Sequence, residues 1–214
     1  MFRSQRRAVV YPQLNHAAFA AELALLWGNG EFERPRLRFD SFVRGVALHD
    51  RGYGELDDDP IGGVPRERWL EIQRRGFGER DADPVVDVVA SFHIHRLVRG
   101  AEPAMTEALP RLLQRAGVEH AVALEADAIT NLCDRISFDV CVEEPTDGSV
   151  SVGGHDVRFR VDGERAVEVD PWPFAPARFA LLLVGYRADG YPQRLERVVE
   201  PISFAPAQSF SSGA

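Results

Sequence analysis

The chain contains no lysine, so all 25 of its basic residues are arginine. Its two cysteines, Cys133 and Cys141, are too few for a disulfide framework and read as buried thiols in a reducing compartment. With 33 acidic residues and a net charge of −8, it repels a phosphate backbone unless its arginines cluster, and they are scattered. Nonspecific nucleic-acid binding is therefore not expected. The apolar stretch from Ala17 to Trp27 is interrupted by Glu22 and stops at Gly28-Asn29-Gly30, too short to cross about 30 Å of hydrocarbon. Arg3, Arg6 and Arg7 precede it as in a signal peptide, but Pro12, Asn15 and His16 intervene and no clean cleavage site follows. A cytoplasmic protein with no membrane association is expected. G-x-S-x-G, P-loop, G-x-G-x-x-G and H-E-x-x-H motifs are missing, which removes the standard serine hydrolase, NTPase, dinucleotide and zincin readings.

What is present is an ordinary globular composition, 214 residues with 45% hydrophobic side chains. The first two thirds read as helical. Asn15 is positioned to cap a helix carrying Phe19, Leu23, Leu26 and Trp27, with His16 in its first turn. A second helix from about Asp40 or Ser41 to Gly52 carries Phe42, Val46 and His49, with His49-Asp50 in its last turn. Pro65 opens a short helix to Gly76, and Asp83-Pro84 opens another with Val86, Val89, His93 and Leu97 on one face. A strand is the alternative for that segment, and there His93 and His95 would share a face. Helical stretches from Glu102 to Gly117 and from Val118 to about Cys141 follow, the latter with Asp134 off its apolar stripe beside Thr130, Phe138 and Cys141.

After Glu144-Pro145 the period becomes two. Val150/Val152, Val157/Phe159/Val161 and Val167/Val169 alternate with polar residues, and Gly153-Gly154 and Asp162-Gly163 mark turns. Two more apolar runs, Phe179 to Val184 and Leu195 to Ile202, complete a small antiparallel sheet. The expected architecture is thus α+β and mainly α: a helical core over 1–144, an antiparallel sheet packed on it over 145–207, and a frayed tail over 208–214.

One constellation carries chemistry. A histidine upstream on one helix (His16), a His-Asp pair (His49-Asp50) and a distant aspartate on a long helix (Asp134) form a ligand set suited to a divalent cation. Mn, Fe, Zn, Ni and Mg all suit these donors. Taken singly, each has a plainer reading: His16 as an exposed ring, His49 as a core histidine bonded to a backbone carbonyl, Asp134 as an ion-pair partner. A second His-Asp pair, His155-Asp156, sits in a hairpin and reads as a turn. His93, on an apolar face, is costly unless bonded, and is a candidate second-metal ligand or proton donor. Arg51 could meet a phosphate, as could Arg34, Arg36 and Arg38, and Asp57 lies in an acidic loop with Glu55, Asp58 and Asp59.

Several segments together resemble an uncharacterised bacterial family, domain of unknown function 3891. They are His16 with its helix, Trp27-Gly28-Asn29 through Phe32-Glu33-Arg34-Pro35, Ala47-Leu48-His49-Asp50 followed by Tyr53 and Asp57, Ser91-Phe92-His93, Cys133-Asp134-Arg135-Ile136-Ser137, and Asp170-Pro171-Trp172-Pro173-Phe174. Gly52-Tyr53 and Glu55-Leu56-Asp57 depart from the Gly-Trp and Glu-Trp-Asp usual at these places. The family is in turn similar to HD-domain metal-dependent phosphohydrolases in its order of His, His-Asp and Asp. That likeness implies an HD-like bundle for the helical core over 1–144 and a metal site of His16, His49, Asp50 and Asp134, with Asp50 and His93 catalytic, Arg51 and Asp57 near the substrate, and a small phosphorylated molecule as the partner. The rival readings are a noncatalytic metal- or ligand-binding sensor built on the same cluster, and an amidohydrolase-like enzyme using His93 and His95 on a strand.

Overall fold

The computed structural model describes residues 1–60 and 62–207; the expected frayed tail over 208–214 lies outside them. In chain order the elements are β1 (Phe2–Arg3), β2 (Val9–Tyr11), α1 (Gln13–Leu25), α2 (Phe39–Ala47), a 3-10 turn (Arg51–Tyr53), α3 (Arg66–Gly76), α4 (Pro84–Val98), α5 (Pro103–Ala116), α6 (His120–Val142), β3 (Thr146–Val152), β4 (His155–Val161), β5 (Ala166–Asp170), β6 (Phe179–Arg187) and β7 (Arg197–Pro206).

The expected helical bundle with a small C-terminal antiparallel sheet is wrong. Among the described residues, six helices accompany one seven-stranded mixed sheet, curled into a half-barrel, in the order β1-β2-β6-β7-β5-β4-β3; α1 and α6 lie on the sheet and the other helices pack on them and on one another. The N-terminal residues supply two of its strands, with Val9 opposite Arg187 and Val10 opposite Tyr186. Strand β7 runs antiparallel to β6 but parallel to β5. Neither feature is visible as periodicity: β1 and β2 are too short to alternate, and strand direction depends on how the segment after Asp170 returns.

The alternating residues of β3 to β5 do face inward: Val150, Val152, Val157, Phe159, Val161, Val167 and Val169 are all buried. They meet Phe19 and Leu23 of α1, Trp27 just beyond its end, and Leu132, Ile136 and Val140 of α6, with Phe174, Leu183, Ile202 and Phe204 completing the core. Each such fully buried large side chain contributes about 1.5–3 kcal/mol. A satellite cluster of Val88, Phe92, Leu109, Leu112 and Leu113 joins α4 to α5.

Local corrections follow from tertiary demands. Helix α1 starts at Gln13 behind Pro12, whose ring fixes the entering φ, and Asn15 is no cap; its Nδ2 instead donates to Val184 O at 2.8 Å, tying α1 to β6. Helix α2 ends at Ala47, so His49 and Asp50 lie in the turn beyond it rather than within it. Asp83 does cap α4, accepting from Val85 N at 3.1 Å, and the segment is helical through His93 and His95. The amidohydrolase-like reading required a strand there and falls with it. Two glycines set the distances around the His49-Asp50 turn. A Cβ on Gly45 would meet Val89 Cβ at 2.5 Å, so α2 lies close on α4; a Cβ on Gly52 would overlap Ile72 O, so the 3-10 turn lies close on α3.

Candidate metal centre

Helices α1, α4 and α6 and the turn after α2 each bring one or two polar residues to a common point. His16, three residues after Gln13 on α1, is fully buried against Asp134 of α6, His16 Nε2 lying 3.0 Å from Asp134 Oδ1. His49 follows α2 and faces both: its Nε2 is 3.3 Å from His16 Nε2 and 3.5 Å from Asp134 Oδ1. Asp50, the next residue, places Oδ2 3.5 Å from His49 Nε2 and 3.8 Å from His16 Nε2. Its other oxygen lies 3.6 Å from Nε2 of His93 on α4, and His93 Nδ1 lies 3.8 Å from Asp134 Oδ2. The rings pack as well, His16 edge-on to His49 and His49 tilted against His93 with centroids 4.3 Å apart, while Phe2 of β1 covers His16 from the sheet side.

The far nitrogen of each imidazole is held by the protein. His49 Nδ1–H donates to Val46 O at 2.6 Å, which leaves the Nε2 lone pair pointing into the cluster. Ser137, one turn after Asp134 on α6, lies 2.7 Å from His16 Nδ1 and 2.9 Å from the His16 carbonyl oxygen. When its hydroxyl donates to that carbonyl, its oxygen accepts Nδ1–H and the His16 Nε2 lone pair is likewise free. His93 is oriented the opposite way. Arg96 Nη2 donates to His93 Nδ1 at 2.9 Å, so the neutral ring carries its hydrogen on Nε2, which is buried and has no hydrogen-bond partner. Arg96 is anchored in turn by Asp127 and stands 3.9 Å from Asp134 Oδ2, with a quarter of its side chain exposed.

The charges are strongly coupled. Burial draws the His49 pKa down, but Asp50 and Asp134 outweigh burial and carry it up to about 9. Burial would raise Asp134, yet His93, His16 and His49 hold it well below the usual carboxylate range; Asp50 is lowered against burial chiefly by His49 and His93. His93 is lowered by burial and by the charge of His49. Two overlapping sets of donor atoms, His16/His49/Asp134 and His49/Asp50/His93, each lie within 4.8 Å of one another, as a shared cation would require. A tetrahedral ion with bonds of about 2.0–2.1 Å separates its ligands by about 3.3–3.4 Å. The separations of 3.0 to 3.8 Å among His16, His49, Asp50 and Asp134 bracket that value.

The five residues of the sequence-derived catalytic and metal set thus meet at one point. Arg51 and Asp57 do not join them. The Arg51 guanidinium is taken up by Gly76 O, Gly78 O and Asp87, and holds the loop after α3. Asp57 is buried, accepts from Gln13 N at 2.8 Å and from the amino group of Met1, and so closes the start of α1. His95 pairs with Thr106, and Cys133 and Cys141 are buried thiols whose pKa burial pushes up. Sequence reasoning gave no role to Arg96 or to Ser137, the latter named only within the Cys133–Ser137 stretch of the family resemblance. Both were within reach, each lying one turn beyond a singled-out residue, Arg96 after His93 and Ser137 after Asp134.

The family model described as Protein of unknown function (DUF3891) matches residues 2–187. No curated protein and no solved structure matches the chain.

Proposed function

We propose, for a chain that belongs to the DUF3891 family, that the cluster holds a divalent cation and that the protein is a metal-dependent phosphohydrolase. One observation carries the metal reading: two buried imidazole nitrogens, each oriented by a hydrogen bond on its far side, face one another at 3.3 Å with two carboxylates alongside. Two lone pairs that close repel unless a proton or a cation lies between them, and a dedicated outer partner for each ring is how metal-binding histidines are oriented. His16, His49, Asp50 and Asp134 are the proposed ligands. The order of these residue types along the chain, His, His-Asp, Asp, is that of HD-domain phosphohydrolases and supports the choice of reaction.

A cation there lowers the pKa of a bound water and polarises a phosphoryl oxygen. His93 presents Nε2–H beside Asp50, where it can stabilise charge on the departing oxygen. Arg96, partly exposed at the edge of the cluster, is the cation placed to meet an anionic substrate, the role that Arg51 is too engaged to fill. A noncatalytic metal-binding module uses the same ligands and differs in having no turnover.

Metal content by plasma mass spectrometry, on protein purified without chelator or affinity tag, tests the site. The parent is expected to carry about one to two equivalents of a transition metal, and folded His49→Ala and Asp134→Asn variants to lose it. A parent that stays metal-free after incubation with Mn, Fe, Ni or Zn overturns the reading. Given metal, hydrolysis of a phosphoester panel that survives Asp50→Asn overturns the catalytic assignment.

A further inference from the structure

Each strand of the sheet turns one face to the helices and one away from them, and the second face is divided in two. On β6 and β7 the residues facing the helices, Leu181, Leu183, Ile202 and Phe204, pack in or against the core. The residues between them point outward in register, Ala180 opposite Ser203, Leu182 opposite Pro201 and Val184 opposite Val199. Leu182 is 58% exposed and Val199 46%, and Ala180, Pro201 and Ser203 are exposed as well. On β3, β4 and β5 the same face is charged and laced by cross-strand ion pairs, Arg158 with Asp170 at 2.9 Å and Arg160 with Asp147 at 2.8 Å.

An antiparallel pair with one face on the core ordinarily turns polar residues to water on the other. Strands β6 and β7 do the reverse, and they are inner strands of the sheet rather than its margin. A contiguous apolar patch inside a polar rim marks an interaction surface. The rim identifies what covers it. Along the flank formed by β5, β4 and β3, Asp147, Glu168 and Asp170 outnumber Arg158 and Arg160. At the β6–β7 hairpin end, Arg187, Arg194 and Arg197 outnumber Asp189 and Glu196. A wholly acidic or wholly basic partner, or an anionic lipid surface, meets like charge at one of these margins. A second copy turned about a twofold axis oblique to the strands lays the hairpin end of each over the flank of the other, and both margins then meet opposite charge.

We propose that two copies of the chain associate through this face, with Leu182, Val184, Val199 and Pro201 of one protomer packed on the same face of its partner. The inference is independent of the metal reading, because the His/Asp cluster lies among the helices on the other side of the sheet.

Sedimentation velocity of the full-length chain across the micromolar range tests it. A dimer is expected. Leu182→Glu and Val199→Glu, at exposed positions that leave the core untouched, are each expected to weaken it by about thirtyfold or more, the loss found at the centre of an interface. Both variants should keep the parent's circular dichroism. Leu124→Glu, on α6 and 50% exposed, places the same charge elsewhere and should leave the dimer intact. Ser203→Cys gives a positive check: Cys133 and Cys141 are buried, so a bismaleimide should join the introduced thiol to that of a second copy. A dimer that survives both Leu182→Glu and Val199→Glu overturns the proposal. So does a monomer at every concentration, and a monomer that cosediments with phosphatidylglycerol vesicles would give the face to a lipid surface instead.

Discussion

Raising the pH of the metal-free protein should weaken it through a single side chain. His49 has its pKa raised from 6.5 to about 9 by Asp50 and Asp134 against burial. A base with a raised folded-state pKa stabilises the fold fully below its unfolded pKa, and that stabilisation is lost as the pH rises through the folded value. At about 1.4 kcal/mol per unit, the whole effect is on the order of 3 kcal/mol, and about half of it goes between pH 6.5 and about pH 8. The neighbours act outside that window. His93, with a lowered pKa, gives stability that is present above 6.5 and lost as the pH falls, and the lowered carboxylates of Asp50 and Asp134 act at still lower pH. The buried thiols of Cys133 and Cys141, both raised, begin to cost stability only above about pH 8.5, where unfolded thiols ionise. Urea midpoints of chelated protein at fixed ionic strength should therefore fall from pH 6.5 to 8 by an amount equivalent to about 1.5–2 kcal/mol. His49→Gln should abolish the fall, and a bound divalent cation, which takes the proton's place, should reverse it. A flat profile for the parent, or the same fall in His49→Gln, would refute the assignment of the proton to this cluster.

Ser137→Ala removes the hydroxyl that orients His16 and is expected to weaken metal binding by about 10–100-fold, as loss of a ligand's outer partner does, measured by competition with a chromogenic chelator. Arg96→Met keeps the aliphatic packing but removes the guanidinium; metal content should hold while the KM for a phosphate ester rises, and a loss of metal instead would make Arg96 a structural support of the cluster. Gly45→Ala forces a methyl onto Val89 and should cost about 1–3 kcal/mol in thermal or denaturant unfolding, with metal affinity falling too because the α2–α4 spacing places His49 beside His93.

Periodicity recovers elements that bury one face, and it does so here for α3, α4, α6 and the β3–β5 strands, each long enough for its spacing to repeat. It fails at β1 and β2, which have two and three residues and owe their conformation to pairing with each other and with β6. It also fails at Asn15, where a capping side chain serves β6 instead, and at the end of α2, where the chain leaves the helix two residues before His49. The site was legible as a list of residue types. His49 and His93 stand out because imidazoles on apolar faces need a partner, and His16, Asp50 and Asp134 because of the order His, His-Asp, Asp along the chain. Arg51 stood out as a cation next to the His-Asp pair that could meet a phosphate, yet its partners are two carbonyls and Asp87. Nothing in the spacing of an arginine says which acceptors the fold will bring to it.

The sequence by itself determined which residues can coordinate, donate or stack, and which of the longer segments fold as helix or strand, since these follow from side-chain chemistry, periodicity and local sterics. Only the tertiary structure decided that a seven-stranded mixed sheet recruits the chain's first residues, that His49 and Asp50 sit in a turn between α2 and the 3-10 turn, and that Arg96 rather than Arg51 faces the cluster. Those outcomes depend on contacts between residues tens to more than a hundred positions apart, and such contacts are fixed by packing the whole chain at once rather than by any local pattern.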